Sequence, residues 1–118
     1  MRQFWADECL RDPPAAIDAI VRHVEATGVR GVYFSNDIDG LDERFADATG
    51  TPEPDGLEPD FVSTLLSRLA DEIGVIGGDV MEVAPPIART PDGARRTVGL
   101  AARYARETVL AITRARPR

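Results

Sequence analysis

Only two stretches of this chain read as β-strands, residues 29–34 (VRGVYF) and 75–83 (VIGGDVMEV), and a helical pattern stands between them. Short apolar runs rich in β-branched residues suit strands covered on both faces. A strand–helix–strand order demands a parallel pair with a right-handed crossover. Parallel sheets normally have several strands. Two alone therefore read as one end of a larger α/β domain, with the element order α-β-loop-α-β-α.

The helices follow from apolar spacing and punctuation. Asp12 and Pro13 read as a cap and first-turn proline, and Ile17, Ile20, Val21 and Val24 then form one stripe that Gly28 closes. Glu58-Pro59-Asp60 opens a second helix, whose stripe is Phe61, Val62, Leu65, Leu66, Leu69 and Ile73, with Gly74 as its stop. Thr90-Pro91 opens a third, with Val98, Ala101, Ala102, Ala105, Val109 and Ile112 expected to face inward. Residues 36–57 form a long loop carrying Gly40, Gly50, Pro52, Pro54 and Gly56. A loop of that length in a compact domain is functional or disordered.

The length, 118 residues, suits a single domain spanning 1–118. The 14 basic residues, all arginine, face 20 acids, giving a net charge of −6. That balance argues against a general nucleic-acid or anionic-membrane binder. No run approaches the roughly 20 apolar residues of a membrane span, and MRQFWADECL lacks the apolar core of a signal peptide. The one cysteine, Cys9, cannot form an internal disulfide, so a reducing cytoplasm is the expected compartment. Charge is uneven: residues 1–94 carry −12 and residues 95–118 carry +6. The basic segment reads either as a solvated terminal helix or as a face that docks on an acidic partner.

Ligands of parallel sheets bind beyond the carboxyl ends of the strands. There the first strand runs into Ser35-Asn36-Asp37-Ile38-Asp39-Gly40-Leu41-Asp42. In an extended chain Asp37 and Asp39 point the same way. Two adjacent carboxylates repel unless a cation lies between them, and hard oxygen donors suit Mg, Ca or Mn. The alternative is a pair of turn acids bonded to backbone amides. An EF-hand loop fails, because its sixth and twelfth positions would be Asp42 and Ala48 rather than Gly and Glu. A haloacid-dehalogenase-like phosphatase also places DxDG after a strand, yet it uses a lysine, and this chain has none.

A third reading covers far more of the chain. The SNDIDGLD run, Phe45, Ala48-Thr49-Gly50-Thr51-Pro52 and Gly56-Leu57 resemble the ureohydrolase signature of arginases, agmatinases and formimidoylglutamases. Gly78-Asp79-Val80-Met81-Glu82-Val83-Ala84-Pro85 resembles that family's last strand, and the resemblance runs from about Val32 to Ile112. It implies a parallel-sheet, three-layer α/β/α fold of the arginase type, of which only the C-terminal half is present.

The resemblance also implies roles. Two manganese ions would sit at the strand ends, Asp37 bridging both and Asp39 binding the second. Together they would lower the pKa of a shared water. Glu82 would be the catalytic-site acid that pairs with a planar guanidinium or amidine substrate, and Thr51 would lie near that substrate. Asp42 would brace the loop, and Gly50 and Gly56 would serve its geometry. The family's metal-binding histidines and further aspartates have no counterpart here: the one histidine, His23, lies within the first helix. Glu43 and Asp55 stand where the family often has proline and glycine, and Ala88 and Arg89 where it often has an acid. The reading is thus a manganese-dependent hydrolase of linear amidines, present as a fragment without activity of its own. The alternative is a non-catalytic remnant or subunit binding a divalent ion or a partner. Self-association or a missing N-terminal half is expected to cover the open strand edges.

Overall fold

The structure, a computed structural model, describes residues 1–114. Its elements are α1 (Ala6–Arg11), α2 (Pro13–Glu25), β1 (Val32–Asp37), α3 (Pro59–Glu72), β2 (Val75–Met81) and α4 (Gly93–Thr113), with short 3-10 turns at Ile38–Gly40 and Pro85–Ile87. β1 and β2 pair in parallel, as the strand–helix–strand order requires.

Helix α2 begins where Asp12 accepts a 3.1 Å hydrogen bond from the Ala15 amide, with prolines in its first turn. This is the capping expected of Asp12-Pro13. Ile17 and Val21 are buried, and Ile20 and Val24 pack against them. Helix α3 buries Phe61, Val62, Leu66, Leu69 and Ala70. It closes with the Gly74 amide bonded to Leu69 O at 2.9 Å, in a backbone at φ 103° that only glycine adopts freely. His23 is exposed, its ring edge-on to Phe4.

Several expectations need correction. A short helix, α1, precedes α2 and buries Cys9, whose thiol burial pushes above its ordinary value. β1 starts at Val32, not at residue 29, because Gly28 turns the chain at φ 72° and leaves Val29 exposed. β2 likewise ends at Met81 rather than at residue 83.

Helix α4 starts at Gly93 and is rotated from its expected phase. It buries Thr97, Tyr104, Thr108 and Ala111, while Val98, Ala102, Ala105, Val109 and Ile112 are exposed. Tyr104 decides the rotation. It is fully buried, its hydroxyl donates to Pro59 O at 3.1 Å, and its ring joins the cluster of Ile38, Leu41, Ala46 and Val62. A tyrosine buries more area than any alanine of the other stripe and needs a partner for its hydroxyl.

Several arginines of the basic segment pair with acids of this chain. Arg103 pairs with Asp60 at 2.8 Å and with Glu107 at 2.9 Å, and Arg114 with Asp71 at 2.8 Å. Arg96 donates to Thr90 at 2.9 Å. Arg103 thus faces an acid of α3 and one of its own helix, whereas Arg106 is exposed. Arg116 and Arg118 of that segment lie outside the described residues.

The sheet is packed on one side. Helix α4 lies against β2, Val80 joins the core, and Gly78 gives Thr108 room: a Cβ there would lie 2.8 Å from the threonine methyl. The opposite face exposes Tyr33, Ser35 and Asp37. Strands expected to be covered on both faces are therefore covered on one within this chain.

Candidate metal and substrate site

β1 delivers Asp37 at its last residue, and the chain then tightens into the 3-10 turn that holds Asp39. Asp39 therefore sits in a turn rather than in an extended strand. The alternation survives all the same: Asp37 is exposed, Ile38 is fully buried and Asp39 is half-buried. Ile38 anchors the turn in the core and leaves both carboxylates on the outer side.

The long loop is ordered by its own backbone. Asp42 N donates to Leu57 O at 3.0 Å, Leu57 N to Gly40 O at 2.9 Å and Glu43 N to Glu53 O at 3.0 Å. This close return needs Gly56, where a Cβ would lie 2.5 Å from the Leu41 carbonyl carbon and the Asp42 nitrogen. Gly50 has open space at that position and no such requirement, so only one of the two expected loop glycines is dictated by contact.

Asp42 braces the loop. Its buried carboxylate accepts from Arg44 N and Nε at 2.8 Å each, from a terminal guanidinium nitrogen of Arg44 at 3.2 Å and from Asp55 N at 3.0 Å. The hydrogen bonds from Arg44, side chain first and then backbone, hold this carboxyl below its ordinary pKa. Asp55, which stands where the resembled family has glycine, takes φ 59°. The backbone there has the left-handed form that glycine adopts at no cost, and aspartate is among the side chains that tolerate it.

Thr51 lies at the tip of the same loop. Its hydroxyl donates to Asp39 Oδ2 at 2.6 Å. The loop thus closes directly on one of the paired carboxylates.

Glu82 enters from the neighbouring strand. Asp37 is the register partner of Met81, and Glu82 is the next residue, exposed, with φ 66°. A left-handed backbone at a long, non-glycine side chain costs energy and marks a place where the surroundings over-determine the conformation. Asp37, Asp39 and Glu82 thus share the carboxyl edge of the sheet. A cleft of about 610 Å³ lies elsewhere, between Phe45, Pro59 and Leu100, and none of the three acids lines it.

Asp37 and Asp39 are hard oxygen donors of the kind divalent Mn takes. Among the described residues, no group of three or more His, Cys, Asp or Glu side chains is placed to hold an ion. The two donors fit part of such a site.

Sequence reasoning missed Asp47. It is buried, accepts from the Thr90 hydroxyl at 2.6 Å and lies 3.7 Å from Arg96. Together with the Ala48 amide, which donates to Thr97 Oγ1 at 3.1 Å, it fastens the loop to the start of α4. The acid falls in a loop whose partners lie more than forty residues on, so no local pattern marks it.

Parallel strands that end at Asp37 and Met81, with Asp39 and Glu82 just beyond them, keep the arrangement that the ureohydrolase resemblance implies. A sequence model of the Arginase family matches residues 1–111, and the chain belongs to the arginase family. That match takes in α1 and α2, which the motif resemblance did not reach, and it sets aside the phosphatase reading.

Over 79 residues the chain is 39% identical to an agmatinase of Escherichia coli O9:H4 (strain HS), covering 67% of this chain and 26% of that protein. Among solved structures, it is similar to the proclavaminate amidino hydrolase of Streptomyces clavuligerus. The TM-score is 0.77 with 34% identity, over 95% of this chain and 35% of that one. It is also similar to the agmatine ureohydrolase of Thermoplasma volcanium, with TM-score 0.72 and 30% identity, over 91% of this chain and 33% of that one. The chain therefore has the arginase-type α/β fold in part. It spans about a quarter of the agmatinase and about a third of each solved structure. No helix among the described residues is long and apolar enough to cross a membrane.

Proposed function

We propose that this chain supplies the C-terminal carboxylate portion of a manganese-dependent site for hydrolysis of linear guanidino or amidino compounds. Asp37 and Asp39 hold metal in this reading, and Glu82 pairs with the cationic head of the substrate. Thr51 steadies Asp39 and borders the substrate. The observation that carries it is the register: Asp37 stands opposite Met81, so the metal-binding strand end and the substrate-binding one adjoin.

The chemistry of the pieces agrees. Carboxylates bridging two divalent ions neutralise them and fix their separation, and the ions acidify a shared water. A carboxylate beside a planar cation forms paired, charge-assisted hydrogen bonds. The remaining donors belong to a partner portion, which also covers the exposed sheet face. That portion is a missing N-terminal part of the same fold or a second protein. The cytoplasm is the proposed compartment.

Titration calorimetry with Mn²⁺ tests the metal assignment. Wild-type chain binds weakly, because two carboxylates leave most coordination positions to water, and Asp39→Ala loses the heat. Equal heats from both proteins would remove Asp39 from the site.

A further inference from the structure

Asp79 lies in the middle of β2, and β1 takes both of its carboxylate oxygens. The Tyr33 hydroxyl donates to Oδ2 at 3.0 Å, and Ser35 Oγ donates to Oδ1 at 2.8 Å. Tyr33, Ser35 and Asp37 are alternate residues of one strand and face the same way, the exposed way. One acid thus grips the two positions that lead up to Asp37.

The pairing of the strands gives that grip a task. Val32 pairs with Val75, but Tyr33 pairs with Gly77, so the ladder shifts between Val32 and Tyr33. Above the shift the order is Ser35 with Asp79 and Asp37 with Met81. Over this stretch β2 offers Gly77 and Gly78, which have no side chains to key against β1. Register is weakly specified in such glycine-rich strands, and a slip by one residue sends every side chain to the other face. A slip here would take Asp37 from its place opposite Met81 and turn it towards the packed face.

We propose that Asp79, gripped by Tyr33 and Ser35, is a positioning residue that fixes the β1–β2 register above the irregularity and so sets Asp37 opposite Met81, at the strand end that Glu82 follows. The inference rests on the reading of Asp37 and Glu82 as metal and substrate residues. Its first effect is on the register itself, which can be read without metal. The hydrogen bond to Asp79 raises the Tyr33 phenol above its ordinary pKa. Titration of Tyr33 therefore reports the grip in solution.

The test uses the full chain and two NMR readouts: the cross-strand backbone contact between Asp37 and Met81, and Mn²⁺-induced broadening at Asp37 and Asp39. Asp79→Ala loses the Asp37–Met81 contact and weakens Mn²⁺ binding about tenfold, as loss of a partner that orients a metal ligand does. Asp79→Asn recovers part of both, since its amide oxygen still accepts. Ser35→Ala and Tyr33→Phe each remove one leg, leave the rest of the fold in place and give smaller losses of the same kind. Val21→Ala, which destabilises the distant helical core, lowers the melting temperature and leaves both readouts at their wild-type values.

The proposal is overturned if Asp79→Ala keeps Asp37 opposite Met81 with wild-type broadening, or if Val21→Ala gives the same losses. If Mn²⁺ broadens neither aspartate in the wild type, the metal assignment fails. The Asp37–Met81 contact in the variants then decides the positioning role by itself.

Discussion

The Thr51 hydroxyl donates a 2.6 Å hydrogen bond to Oδ2 of Asp39, twelve residues earlier in the chain. The bond ties the tip of the loop to one carboxylate of the aspartate pair. A carboxylate held in one orientation loses less freedom on taking a metal. Thr51→Val should therefore weaken Mn²⁺ binding on the order of tenfold, and Thr51→Ser should restore it. Electron paramagnetic resonance of free Mn²⁺ measures the change. Equal affinity in Thr51→Val would show that the bond does not prepare Asp39.

Glu82 sits at φ 66°. Glycine relieves that strain and removes the carboxylate. Glu82→Gly should raise stability by about 0.5–1 kcal/mol, the strain relieved less the entropy of the freer chain. Asp55, at φ 59°, gains less from the same change because aspartate tolerates this backbone. Denaturant melts of the two variants give the comparison. A less stable Glu82→Gly would mean that the side chain at this position contributes to the fold.

Asp42 predicts a pH dependence. Its folded pKa is depressed, chiefly by the hydrogen bond from Arg44. A depressed carboxylate contributes stability that is present above its unfolded value and lost as pH falls through the folded one. The loss should therefore appear below roughly pH 4, where an unfolded aspartate takes up its proton. Asp42→Asn should be less stable than wild type at neutral pH and should flatten the decline in acid. An unchanged slope would assign acid sensitivity to other groups.

Gly93 opens α4 directly against the carboxylate of Asp47, and a Cβ there would overlap it. Gly93→Ala should destabilise the chain by about 1–3 kcal/mol through overpacking, despite alanine's better helix propensity. In an Asp47→Ala background the same change should be neutral or stabilising. The double-mutant cycle reads the coupling, and additive effects would refute the contact.

Much of the fold is written in local signals. Asp12-Pro13 starts α2 and Gly74 ends α3, because capping and left-handed closure depend on one or two residues each. The parallel pairing follows from element order alone. The phase of α4 was not legible, because two apolar stripes compete along it. The packed one includes Thr97, Tyr104 and Thr108, polar residues that become core only when the loop, α3 and β2 lie against them. α1 was missed because it is six residues long and its first turn has no side-chain cap. At the site, the motif spacing placed Asp37, Asp39 and Glu82 at strand ends. The bonds of Thr51 to Asp39 and of Asp79 to Tyr33 and Ser35 depend on loop closure and on an irregular register. Neither leaves a periodic trace.

In the proposed function the chain carries only part of a hydrolytic metal site. Two aspartates and a glutamate at one sheet edge, with no third donor grouped beside the pair among the described residues, cannot fix two ions and a shared water. Release of urea or ammonia from agmatine, arginine and guanidinobutyrate by the purified chain in Mn²⁺ measures this directly. The predicted result is no turnover above the metal-only blank. Turnover that Asp37→Ala abolishes would mean that the chain builds a complete site, and would contradict the account.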